Sequence, residues 1–290
     1  MKPYRNAAWL LMLPAVAVMG FVAVLPLVAV FNYSFHDIFS LDSASWVGAD
    51  WYTAIMLSPR FWTSLCRSAA FSALALGVQL PLGIGVALML RGAGPRVAIL
   101  MLMCVALPLA VPANMIAGLW LALVRSEGLA GQALAALHFD FDYKFTAAHT
   151  WILILLVDTW HWLGLVVVLA YAGLTSIPPA YYQAAAVDGA SRVAVFRLIE
   201  LPMIAGTMWI VLLLRLVDTF MIYTEVMMIN AGGPQDATTF LSLDLGEEIK
   251  AYSYGTAAAR AMVDFLIVLT VVWIFVQLRK SDQSAGTEPI

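Results

Sequence analysis

The sequence predicts an all-α integral membrane protein with six transmembrane helices, and three observations carry that reading. Of its 290 residues, 63% are hydrophobic and 11% are charged, against about 25% charged in a typical soluble domain. So few charges cannot cover the surface of a soluble globule of this length, which argues against a soluble enzyme. A bilayer-crossing helix needs about 20 mostly apolar residues, and six stretches supply them: 8–31, 65–90, 97–124, 151–171, 206–228 and 257–278. The lysines and arginines between these stretches are shared unevenly, which orients the chain.

The first stretch is longer than the roughly 7–15 residue core of a signal peptide. No small-x-small site follows it and five more spans do, so it reads as a retained helix. Span two holds Gly77, Pro81, Gly83 and Gly85, and span three holds Pro108, Pro112 and Asn114. Prolines free backbone carbonyls and allow bends that gating could use. A static kink or a small-residue packing face accounts for them equally well.

With the N-terminus inside, the inner segments hold Lys2, Arg5, Arg91, Arg96, Arg192, Arg197, Arg279 and Lys280. The outer ones hold Arg60, Arg125, Lys144 and Lys250, so the split is eight against four. Cytoplasmic loops carry the excess of Lys and Arg, so both termini are expected in the cytoplasm. Outer loops over 32–64, 125–150 and 229–256 carry Trp46, Trp51, Tyr52, Trp62, Tyr143 and Tyr252, residues that favour the headgroup level. The polar residues from Ser281 are expected to form a disordered tail. A net charge of −3 leaves no basic footprint for nucleic acid. Cys66 and Cys104 read as small buried hydrophobes, not as a disulfide or a metal pair.

One inner loop, 172–205, differs from the rest of the chain. Ser176 can cap a helix whose first turn holds Pro178 and Pro179. The Ala-rich run 181–187 favours helix, and Gly189 can take φ > 0 to end it. A second helix over 191–200 is expected to stop at Pro202. The loop is therefore helix, glycine turn, helix. An amphipathic hairpin lying on the membrane fits this pattern. So does an apolar Ala-Ala-Ala knob that fits a groove on another protein.

In order, the segment reads Ile177-Pro178, Gln183-Ala184-Ala185, Asp188-Gly189-Ala190-Ser191 and Leu201-Pro202. It resembles the EAA loop of permease subunits of bacterial binding-protein-dependent ABC importers. Asn230-Ala231-Gly232-Gly233-Pro234 and Tyr254-Gly255-Thr256-Ala257 resemble segments of the carbohydrate-type permeases, as does Trp46-Val47-Gly48-Ala49-Asp50-Trp51-Tyr52 in the first outer loop. The stretch 223–245 is most similar to glycerol and polyol uptake permeases. The resemblance implies a type I ABC importer permease (MetI-like) fold. It divides the chain into an N-terminal helix with the first periplasmic loop (1–64), a five-helix permease core with its coupling loop at about 174–204 (65–280), and a polar cytoplasmic tail (281–290).

The resemblance also implies partners. These are a second permease subunit, two ABC ATPase subunits, a periplasmic or lipid-anchored solute-binding protein and the lipids of the inner membrane. The implied cargo is a small polyhydroxylated solute such as glycerol, a polyol, glycerol phosphate or a sugar. The coupling residues carried over are Gln183, Ala184, Ala185, Asp188, Gly189, Ala190 and Ser191. Gln183 stands where the family has glutamate. Glutamine keeps the size but loses the charge, and a charge-assisted bond is about twice as strong as a neutral one. Docking on the ATPase then leans more on shape, or on Asp188.

Ionisable residues inside spans are costly and mark function by default. Asp158, His161 and Trp162 share one helical face. Arg215 and Asp218 share an arc with Glu225, and Tyr223 lies near its outer end. Two readings stand side by side. Arg215–Asp218 and Arg260–Asp264 can be neutralising intrahelical pairs. Alternatively Asp158, His161, Trp162, Arg215, Asp218 and Tyr223 line a polar substrate pathway, with Trp162 or Trp160 stacking on a hydroxylated ligand. Glu225, Gly232, Gly233 and Pro234 fit a gating or structural role, as does the Arg260–Asp264 pair.

The chain has no Gly-x-x-x-x-Gly-Lys-Ser/Thr, so ATP and Mg would be bound by partner ATPases. No nucleophile elbow, His-Glu-x-x-His or cysteine–histidine pairing is present, and His36, His138, His149 and His161 are scattered. An ion-coupled secondary transporter is the alternative function. Such carriers often show repeats and matched broken helices, which are not visible here. An intramembrane enzyme would need a catalytic constellation that the chain lacks.

Overall fold

The computed structural model describes residues 7–40 and 43–285. The expectations for Lys2, Arg5 and residues 286–290 lie outside the described residues. In chain order the elements are α1 (Ala7–Tyr33), β1 (His36–Ser40), β2 (Ser43–Trp46), α2 (Asp50–Leu57), α3 (Pro59–Arg91), α4 (Pro95–Ala106) and α5 (Ala113–Val124). There follow α6 (Leu129–Ala136), α7 (Ala147–Thr175), α8 (Pro179–Val187), α9 (Arg192–Val195), α10 (Leu201–Phe220), α11 (Thr224–Ile229), α12 (Leu241–Lys250) and α13 (Tyr254–Ala285).

Among the described residues, five helices are long and apolar enough to cross a bilayer: Leu11–Tyr33, Pro59–Arg91, Ala147–Thr175, Arg192–Phe220 and Tyr254–Arg279. The predicted span over 97–124 is broken at its prolines, and its two arms bend by 103°. The cause is local. Pro108 sits in a 3₁₀ turn, Leu107–Ala110, which closes α4. Pro112 holds Val111 extended (φ −78, ψ 127), as the residue before a proline prefers. The fifth predicted span is shifted: its helix ends at Phe220, and α11 restarts after three intervening residues.

The all-α membrane fold holds, with one short antiparallel hairpin, β1–β2, after α1, pairing His36 with Trp46. Two further expectations are corrected. Cys66 and Cys104 are exposed on α3 and α4, where their apolar thiols face outward. Residues 281–285 continue α13 as helix instead of starting a disordered tail.

The contacts divide the chain into two compact units. One contains α1, the hairpin, α2, the start of α3, most of α12 and α13 as far as Val271. There Phe35 stacks on Trp46 at 5.5 Å, and Trp51 Nε1 donates to the His36 carbonyl at 3.1 Å. The apolar window of α1 buries nothing within this chain.

The other unit holds the remaining elements around two apolar clusters. One gathers Phe71, Ile116, Leu153, Ile154 and Phe240. The other gathers Ala87, Val166, Leu174, Ile177 and Ile204, and so seats the start of the 172–205 loop on α3, α7 and α10. Gly164 lets α7 touch α4 closely, since a Cβ there would run into the Val105 carbonyl.

Candidate functional site

The polar residues of the spans meet around Arg215. Its Nε donates to Gln79 Oε1 at 2.9 Å and its Nη2 to Asp158 Oδ2 at 2.6 Å. Its Nη1 pairs with Asp218. Gln79 Nε2 donates to Asp158 Oδ2 at 2.6 Å, closing the ring. The guanidinium lies over Trp162, 4.7 Å from the ring centroid. Three helices, α3, α7 and α10, are thus joined by one cation. Arg215 and Asp158 are 1% and 2% exposed. Such charges are tolerable only when paired and hydrogen-bonded.

A small cleft of about 160 Å³ opens beside this cluster, lined by Ala113, Asp158, His161, Trp162, Asp218, Tyr223 and Glu225, among others. All six residues expected to line a pathway are therefore close together, five of them on the cleft wall itself with Arg215 bonded behind. His161 leans on the Pro108 carbonyl, packs edge-on against Trp162 at 4.9 Å and leaves Nδ1 buried without a partner. Glu225, expected at a separate outer position, shares this cleft from the first turn of α11. Trp160 does not face it and packs on Trp120 at 5.9 Å. Gln79 was missed by sequence reasoning. Its only signal is that it is an uncharged polar residue between two apolar runs of α3.

The Arg260–Asp264 pair does not form. Arg260 turns to Glu248 at 2.7 Å and lies 3.7 Å from Asp244. Arg60 also binds Asp244, at 2.7 Å. The acidic face of α12 outcompetes the carboxylate one turn along α13, and Asp264 keeps neither oxygen bonded among the described residues. Gly232, Gly233 and Pro234 lie in a turn after α11. Thr238 Oγ1 donates there to the Gly233 carbonyl at 2.8 Å, and Asn230 Nδ2 donates to the Lys144 carbonyl at 3.1 Å.

The 172–205 loop forms the expected helix, turn and helix with changed boundaries. Ser176 closes α7, its Oγ donating to the Gly173 carbonyl at 2.7 Å, and does not cap α8. Gly189 turns the chain at φ +66. Ser191 caps α9 by accepting from Ala194 N at 3.2 Å. Pro202 does not stop the helix, which runs on from Arg192 to Phe220. A π turn over Phe196–Glu200 precedes the proline. That wider turn spares Pro202 the clash with the carbonyl four residues back.

Gln183, Ala184, Asp188, Gly189, Ala190 and Ser191 are exposed, while Ala185 is buried at 7%. Beneath them sits a brace. Glu200, 1% exposed, accepts from Arg192 at 2.6 Å and pairs with Arg91 at the end of α3. Arg91 donates to the Tyr182 hydroxyl at 2.6 Å and lies 4.0 Å over its ring. Burial raises the Tyr182 hydroxyl above the usual tyrosine range, so it stays protonated at neutral pH. The sequence offered Arg91 and Arg192 only as orienting charges.

A fold of broken and continuous spans with a polar intramembrane cluster and a braced, exposed helix between spans fits a membrane transport subunit. Residues 79–280 match the family of the "binding-protein-dependent transport system inner membrane component". The chain belongs to that family, whose members are the permeases of ABC importers. It is 28% identical over 284 residues to the trehalose/maltose transport system permease protein MalF of Thermococcus litoralis, covering 95% of each chain. It is 29% identical over 251 residues to the sn-glycerol-3-phosphate transport system permease protein UgpA of Shigella flexneri, covering 84% of this chain and 76% of that one. In fold it matches a chain of a bacterial ABC transporter involved in the import of alginate, with a TM-score of 0.82, 20% identity and 95% of each chain covered. Nothing in these comparisons supports an ion-coupled carrier.

Proposed function

We propose that this chain is one permease half of an ATP-driven importer that carries a small polyhydroxylated solute across the inner membrane, entering through the cleft beside Arg215. The observation that carries this reading is the Gln79–Asp158–Arg215–Asp218 cluster. It joins three spans and offers oxygens at a cleft that also presents Trp162. The relatives' named cargoes, a disaccharide and a glycerol phosphate, support the solute class but differ in charge.

A second permease completes the pathway, a periplasmic or lipid-anchored binding protein delivers the solute, and two ATPase subunits bind ATP and Mg. Their closure acts on the exposed 183–191 knob. The Glu200–Arg91 brace passes the displacement to α10 and α3, a rigid-body switch between two access states. Both termini and the brace face the cytoplasm. Uptake by the reconstituted complex should require ATP. Asp158→Asn and Asp218→Asn should each raise the transport KM while the complex still assembles. Uptake by the purified chain on an ion gradient alone, or unchanged kinetics in both variants, would overturn the reading.

A further inference from the structure

We infer that the cleft beside Arg215 accepts uncharged polyhydroxylated ligands and turns away anionic ones, such as phosphorylated sugars and uronates. The inference rests on the reading of this cleft as part of the substrate pathway and narrows its cargo. Anion recognition needs a cation with donors to spare, preferably the planar fork of an arginine. Arg215 is the one Lys or Arg in or bonded to the cleft wall among the described residues. Three of its five N–H donors are already given, Nε to Gln79, Nη2 to Asp158 and Nη1 to Asp218, and one face is covered by Trp162. It is also 1% exposed, too deep to swing out towards a ligand.

The remaining charge on the wall is negative. Asp158, Asp218 and Glu225 line the cleft, and Arg215 behind it pairs with the two aspartates. Three carboxyl groups therefore stand against one guanidinium. Asp218 is the exposed member, with 47% of its side chain accessible. It offers carboxylate oxygens to hydroxyl donors, and an O–H···O⁻ bond is about twice as strong as a neutral one. His161 also lines the cleft, with its Nδ1 buried and unpartnered. A phosphate or carboxylate brought to the same wall meets like charges, which disfavours it. A neutral polyol gains from the groups that repel the anion.

A cysteine in the wall tests this in the assembled complex in nanodiscs. Ala113→Cys is made with Cys66→Ser and Cys104→Ser, since both native thiols are exposed. Its reaction rates with cationic and anionic methanethiosulfonates of similar size are compared. The cationic reagent should react at least about tenfold faster, the lower end of what a focused field does to local ion concentration. Adding Asp218→Asn and Glu225→Gln should bring the ratio close to one. Equal rates, or a ratio indifferent to those substitutions, overturns the inference.

Ligand protection separates the two levels of the argument. Sorbitol or maltose should slow modification and glycerol 3-phosphate should not. Protection by glycerol 3-phosphate as strong as by the neutral probes removes the charge discrimination and leaves the pathway. Protection by no probe, or a cysteine inert to both reagents, removes the pathway reading and the inference with it.

Discussion

Arg215 gives three of its donors to Gln79, Asp158 and Asp218 from a position that is 1% exposed. Gln79 is the partner that makes this arrangement hold, because its amide accepts from the arginine and donates to the aspartate at once. Gln79→Leu fills the space but strands the Arg215 Nε donor and leaves Asp158 Oδ2 with the Arg215 Nη2 bond alone, at about 1–3 kcal/mol for the donor left unsatisfied. The purified complex should therefore unfold at a lower temperature than wild type, and an unchanged melting point would show that water replaces the amide. Arg215→Lys preserves the charge and tests geometry. An ammonium cannot present the planar fork or stack on Trp162 as a guanidinium does. The expected result is an assembled complex with little transport, and wild-type uptake would show that only the charge matters.

At the scale of elements, α8 is held by the brace beneath it. Glu200 takes Arg192 from its own helix and Arg91 from the end of α3, and Arg91 also grips Tyr182. Glu200→Ala leaves two arginines without their carboxylate and loosens the lever from α10. Removing one partner of a buried pair costs about 3–5 kcal/mol. The discount here is large, since Arg192 is 60% exposed and solvent screens that arm. The expected phenotype is uncoupling: ATP hydrolysis persists while solute moved per ATP falls. Glu200→Gln, which keeps acceptors without charge, should lose less, and equal coupling ratios in all three proteins would remove the lever.

What could be read from the chain at this scale follows from how local the cause is. The glycine turn at 189 was legible because φ +66 needs a residue without a Cβ. The apolar runs were legible because lipid forces every backbone group into a helix. Pro202 misled because the π turn that relieves it depends on how Phe196–Glu200 packs. Arg260 misled because its partner lies on another helix, sixteen residues away at Asp244 or twelve at Glu248. The Gln79 link to Arg215 spans 136 residues, and no local pattern announces it.

At the scale of the whole molecule, the topology turns on the broken element between α4 and α5. Its arms bend by 103°, so it either crosses the membrane as one bent span or dips in and returns to the same side. If it crosses, there are six passes, and the Lys and Arg outside the spans divide eight inside to four outside. If it returns, every later segment changes sides and the division becomes seven to five. The loop with Gly189 would then face away from the compartment that holds the N-terminus. Cytoplasmic loops carry the Lys and Arg excess, so the charges favour crossing, though by a narrow margin. The proposed coupling role requires the same, since a helix driven by an ATPase must lie on the cytoplasmic side. Single cysteines at Ala135 in α6 and Ala190 after α8 decide it, in a background lacking Cys66 and Cys104. In intact cells an impermeant maleimide should label Ala135→Cys and spare Ala190→Cys, and in inverted vesicles the pattern should reverse. Labelling of Ala190→Cys in intact cells would make the broken element re-entrant and put the knob out of reach of any ATPase.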